Sequence, residues 1–140
     1  MDTNTLVWRV SGSPRLTLRA KEIIDKAVAL GDQLIVPTIV LAEAWDMDRK
    51  QRGDFAPFDR VLRIVQDMNM SVMSFDMELI QRLRDPTLES LRSVYRLWSD
   101  IHDMIIMATA LIARDDADDE VSIVSGDRQI RSQSLIRCVW

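Results

Sequence analysis

Apolar positions at Ala20, Ile23, Ile24, Ala27, Val28 and Leu30 recur at helical spacing, which predicts a helix over 16–30 that Gly31 stops. Gln33-Leu34-Ile35-Val36 is a short apolar run closed by Pro37 and reads as a buried strand, with Thr38 as the N-cap of a helix reaching about Arg49. Gly53-Asp54 marks a break. An amphipathic helix is then expected from Phe58 to Met68, with Val61, Leu62, Ile64 and Val65 facing inward. Val72 to Phe75 is a strand candidate, Met77–Leu83 a helix, and Asp85-Pro86 opens an irregular or helical link through Leu91–Trp98. From Met104 to Ala113 the only polar side chain is Thr109, so this segment has no solvent face and predicts a buried helix. An acidic loop over 115–120 separates it from the strand Val121–Val124. A turn at Ser125-Gly126-Asp127, a short helix at Gln129–Gln133 and a last strand at Ile136–Trp140 complete the chain.

Strands that alternate with helices predict an α/β domain with a mainly parallel sheet. With 140 residues, no repeat and no linker, residues 1–140 form a single domain with one core. Hydrophobic content of 47% and charged content of 29% are those of an ordinary globular protein, and the longest apolar run is too short to span a bilayer. The opening Met-Asp-Thr-Asn has neither the basic start nor the apolar stretch of a signal peptide. Cys138 is the single cysteine, which excludes an internal disulfide and fits a reducing cytosol. A formal charge of −4 argues against nucleic-acid binding through a bulk positive field, but not against contact through bound cations and local arginines.

The candidate chemistry is acidic. Ligands of open α/β sheets sit beyond the carboxyl ends of the strands, and four carboxylates are expected there. Asp127 follows the strand Val121–Val124, Asp2 stands where a strand is expected to end ahead of the first helix, Glu43 lies in the helix after Leu34–Val36, and Asp103 opens the buried helix. Of the helical neighbours of Glu43, Ile39, Val40 and Met47 are apolar and only Asp46 is not, so the side chain is expected on the core side with a partner. A hard divalent cation, magnesium or manganese, would satisfy several carboxylates through oxygen ligands alone. The competing reading makes Asp127 a cap for the short helix behind it, Asp100 and Asp103 a capping box, and Asp2 a turn residue.

Four stretches resemble PIN-domain ribonucleases, specifically the VapC-like toxins of toxin–antitoxin pairs. Asp2-Thr3-Asn4-Thr5-Leu6-Val7-Trp8 is similar to that family's opening Asp-Thr-x-x-Leu-x-Trp, and Pro37-Thr38-Ile39-Val40-Leu41-Ala42-Glu43 to its second motif, which ends on a helical Glu. Asp100-Ile101-His102-Asp103 leading to Ala108-Thr109-Ala110 resembles its Asp-x-x-Asp before an Ala-Thr-Ala helix. Ile123-Val124-Ser125-Gly126-Asp127-Arg128-Gln129-Ile130 resembles its Leu-Val-Thr-x-Asp-x-x-Ile, and Val139-Trp140 its ending. The likeness runs from Asp2 to Trp140 in order and spacing. It implies a Rossmann-like α/β/α sandwich with a central, mainly parallel sheet, and a Mg²⁺- or Mn²⁺-dependent endoribonuclease that cuts single-stranded or looped RNA. Asp2, Glu43, Asp103 and Asp127 would be the catalytic, metal-holding acids, with Asp100 as accessory carboxylate, Ser125 in place of the usual Thr, and Asn4 orienting Asp2. Two cations would activate a water and stabilise the leaving 3′-oxygen. The family has several apolar residues before its first Asp, whereas Met1 alone precedes Asp2, so the first strand is expected to be truncated.

The resemblance further implies a cytoplasmic homodimer inhibited by an antitoxin, whose helix would lie near Trp45 and Met47. Arg9, Arg15 and Arg128 are candidate RNA-phosphate contacts, as are Arg19, Arg49, Lys50, Arg52 and Arg131, or all are ordinary solvated charges. His102 is read as structural or surface, because it is rotated off the Asp103 face. Cys138 and Trp45 are read as packing residues. One alternative is a non-catalytic binding module whose acids are helix caps. Another, a phosphotransfer domain with a nucleophilic Asp, would place a second Asp where Asn4 stands.

Overall fold

The computed structural model describes residues 1–51, 56–94, 100–117 and 120–140. The Gly53-Asp54 break, Arg52, the end of the 91–98 link and part of the 115–120 acidic loop lie outside the described residues. The chain is mixed α/β. Its elements are α1 (Thr3–Ser11), α2 (Leu18–Leu30), β1 (Ile35–Pro37), α3 (Thr38–Lys50), α4 (Phe58–Asp67), β2 (Ser71–Met73), α5 (Met77–Arg82), α6 (Pro86–Val94), α7 (Ile101–Asp116), β3 (Ser122–Val124), α8 (Arg128–Ser132) and β4 (Arg137–Val139).

All four described strands are parallel to their partners, but they pair as two two-stranded sheets: β1 with β2, Val36 opposite Val72, and β3 with β4, Ile123 opposite Cys138. The start of the chain lies between the pairs. The Met1 amino group donates to Ile35 O at 3.0 Å on one side, and Asp2 N donates to Val124 O at 3.3 Å on the other. Adjacent residues whose N–H groups point to opposite sides behave as a strand does, so Met1 and Asp2 supply two residues of strand-like chain between β1 and β3. The strand expected to end at Asp2 has no more length than this.

The core is built on α7, where every residue from Met104 to Ala113 is buried, as its apolar composition requires. Helices α3, α5 and α6 pack on it, while α1 packs on α3 and α4. Thr109, the one polar residue of the segment, returns its hydroxyl to Ile105 O at 2.9 Å within the same helix, so its burial leaves no orphaned donor. A smaller cluster of Ala20, Ile24 and Val124 lies beneath α2, and Met1 packs against both clusters.

Three local expectations change. Thr38 is not an N-cap: Pro37 holds that position without a side-chain bond, and the Thr38 hydroxyl donates to Met73 O at 2.8 Å, tying α3 to the end of β2. Leu62 is exposed, because α4 buries only the narrow stripe of Val61 and Val65, with Ile64 half-buried. Trp45 is 49% exposed rather than core. The buried stripe of α3 is Val40 and Ala44, and Trp45 is rotated about 100° from Ala44 by the helical pitch. Its ring lies 5.5 Å beneath the Arg49 guanidinium carbon.

Candidate functional site

Asp2 is buried at 4% exposure and caps α1: Oδ1 accepts from Thr5 N at 2.7 Å, and Oδ2 accepts from the Ser125 hydroxyl. Ser125, fully buried at the end of β3, also accepts from Asp127 N at 3.0 Å, so one hydroxyl joins the first and fourth motifs. The Thr5 hydroxyl donates to Val124 O at 3.2 Å and ties α1 to β3 a second time. A negative group at a helix N-terminus meets unpaired N–H groups and the positive end of the dipole, which offsets part of the cost of burying Asp2.

Glu43, on the second turn of α3, is partly exposed and has its two oxygens held from opposite sides. Oε2 accepts from the Thr3 hydroxyl, and Oε1 lies 2.8 Å from His102 Nδ1 at the start of α7. The same ring nitrogen lies 3.3 Å from Asp100 Oδ1. The partner expected for Glu43 is therefore the lone histidine, together with a threonine. Asp100 caps α7 through His102 N at 2.9 Å, and Asp127 caps α8 through Gln129 N at 2.6 Å and Ile130 N at 3.4 Å.

Asp103 has a different environment. In the first turn of α7 and partly buried, its carboxyl is pushed up from the ordinary carboxylate range to about 7. Loss of water is the leading cause, followed by the negative charges of Asp127, Asp100, Asp2 and Glu43. Five carboxylates from the starts of α1, α7 and α8 and from α3 thus act on one another across one end of the molecule.

Every acid singled out in the sequence belongs to this group. Asn4 does not orient Asp2: it is exposed, and Thr5 N with Ser125 holds that carboxylate. Arg9 is paired with Asp25 of α2, Arg128 and Arg15 are exposed, and Arg49 and Lys50 are both engaged by Asp46. Thr3 and His102 are the contributors that residue-by-residue reading passed over. Thr3 is silent in sequence because a hydroxyl next to an N-cap carries no signature of a partner forty positions away.

Comparison with known proteins returned no match to a family model, a curated protein or a solved structure.

The donor set consists of carboxylate oxygens and hydroxyls, the type a hard divalent cation takes, and the mutual repulsion centred on Asp103 is what such a cation would relieve. Among the described residues no three His, Cys, Asp or Glu side chains are closed into a metal-binding group. Glu43 and Asp2 are instead held by protein donors. The residues fit a divalent cation in chemistry and charge, with Asp103 and Asp127 as the acids nearest to sharing one.

Proposed function

We propose that the chain is a PIN-like, VapC-like endoribonuclease that acts on single-stranded or looped RNA with Mg²⁺ or Mn²⁺ held by Asp2, Glu43, Asp103 and Asp127. The observation that carries this reading is the elevation of Asp103 to about 7 by four other carboxylates drawn from all four motif regions. Packing alone gives no reason to gather five like charges, since each would be more stable in water. The bound cation would supply Lewis-acid polarisation of the phosphate and a hydroxide at neutral pH.

The protein's own groups do the positioning. Ser125 and Thr5 N fix the Asp2 carboxylate, Thr3 and His102 fix Glu43, and Asp127 is fixed by the amides of α8. Asp103 is left to respond to charge. His102 acts through Glu43 and not as a base, because its Nδ1 is committed to carboxylate oxygens. In this reading the two flanking strand pairs belong to one PIN-like sheet, and a cognate antitoxin inhibits the enzyme by laying a helix along α3, where Trp45 is exposed beside Arg49. Homodimerisation and a cytoplasmic location go with the family resemblance.

A second reading has its own support. Asp2, Asp100 and Asp127 each cap a helix by direct bonds, which suits a non-catalytic binding module. Asp103 separates the two, since it caps nothing in the described contacts. The test is cleavage of a panel of structured RNAs with Mg²⁺, Mn²⁺ or EDTA, comparing wild type with Asp103→Asn. Metal-dependent cutting that is lost in Asp103→Asn supports the nuclease. Folded wild-type protein that neither cuts nor binds Mn²⁺ leaves the binding module.

A further inference from the structure

A cavity of about 590 Å³ opens beside Met1, between the two strand pairs. Leu34 and Ile35 form one wall, Ile123 and Val124 the other, and Ala110 and Ala113 of α7 lie on the floor. The walls continue back to Gly31 on one side and Glu120 on the other, so each runs about five residues toward the amino end of its strand. Met1 sits at the forward end and Asp2 follows it out of the slot. We infer that the slot is a receiving site for one further β-strand of about five apolar residues, parallel to β1 and β3 and joined to the nitrogen of Met1.

Three observations carry this. The bonds from Met1 to Ile35 O and from Asp2 to Val124 O set β1 and β3 two strand spacings apart, which is the room one strand needs, about 9.5 Å. Both strands are paired on their outer sides, β1 with β2 and β3 with β4, so their inner edges face each other across the slot with main-chain groups that a strand would satisfy. Finally, Met1 and Asp2 already occupy the path and direction such a strand would take. A separate peptide would have to end against the Met1 amino group, whereas a covalent continuation turns that buried ammonium into an amide. Burial already holds the amino group below its ordinary pKa, against the opposing charges of Asp2 and Cys138.

The chemistry of the occupant follows from the walls. Met1 packs against both apolar clusters, so the strand path has apolar cover on each face. A parallel strand covered on both faces is a continuous run of Val- and Ile-type residues rather than an alternating one. The small side chains of Ala110 and Ala113 leave space for them.

The test compares three proteins: the 140-residue chain, the same chain preceded by Met-Val-Ile-Val-Ile, and the chain preceded by Met-Gly-Ser-Gly-Ser. The apolar extension is expected to raise the thermal midpoint by about 10 °C or more and to slow amide exchange over 31–35 and 120–124. The Gly-Ser extension should do neither. Ala110→Leu, which fills the floor, should remove the gain in the extended protein. Equal midpoints and equal exchange for the two extensions would overturn the inference. So would an equal gain from the free apolar peptide added to the 140-residue chain, which would make the occupant a separate chain. None of these readouts depends on RNA cleavage, so failure here and failure of the nuclease reading are separable.

Discussion

The His102 Nδ1 atom stands 2.8 Å from Glu43 Oε1 and joins the first turn of α7 to the second turn of α3. The two residues are far apart in sequence and neither carries a signature of the other. Both are partly exposed, so water screens the pair, and its worth lies in where it places the carboxylate more than in stability. His102→Ala is expected to change the urea-unfolding free energy by no more than about 1 kcal/mol. In the proposed nuclease it should weaken Mn²⁺ binding severalfold while metal-dependent cutting persists, and Glu43→Gln should abolish cutting. A His102→Ala protein that binds Mn²⁺ normally but cannot cut would make His102 a participant in the chemistry.

Ser125 joins Asp2 to Asp127 from a fully buried position. Ser125→Ala leaves a buried carboxylate oxygen without its hydroxyl donor and Asp127 N without its acceptor. Hydrogen bonds to charged groups contribute about 1.5–3 kcal/mol, so a loss of about 2–3 kcal/mol is expected in chemical denaturation. A loss under 0.5 kcal/mol would mean that water replaces the hydroxyl at that site.

Stability should fall as pH rises through the acid range on account of Asp103. Its carboxyl titrates near 7 in the folded chain and near 3.8 when unfolded, so between these values the folded state binds more protons. Stabilisation from this residue is therefore complete below about 4 and lost by the time pH passes 7. Asp103→Asn removes that slope and should stabilise the protein at pH 8 by about 1–2 kcal/mol, the figure being discounted for partial exposure. Thermal midpoints of wild type and variant at pH 5, 6, 7 and 8 check this. Parallel curves would show that Asp103 is not the titrating group.

Gly126 lies against the Trp140 ring: a Cβ added there would meet Cζ2 at 2.8 Å and Cε2 at 2.9 Å. Trp140 in turn packs against Trp8, with ring centroids 5.5 Å apart. Gly126→Ala should displace the indole and cost about 1–3 kcal/mol, with a shift in tryptophan emission as Trp140 moves. Unchanged emission and stability would show that the ring is not seated as described.

The sequence by itself determined the alternation of helices and strands, the burial of α7 and the set of acids. Each of these follows from local pattern: an all-apolar segment must be buried, and an Asp before a helix is a cap whatever surrounds it. The same locality explains the misses. Thr38, Asn4, Leu62 and Trp45 were placed by neighbours in sequence, yet their roles depend on which element arrives from elsewhere, β2 beside Thr38 or the Ser125 hydroxyl beside Asp2. Only the tertiary structure decided that Thr3 and His102 hold Glu43, and that the four motif regions raise one carboxyl, Asp103. It also decided that β1 and β3 stand apart with Met1 and Asp2 between them. Hydrogen bonds and like-charge repulsion act over a few ångströms in space, and no spacing along the chain encodes a distance between residues that folding alone brings together.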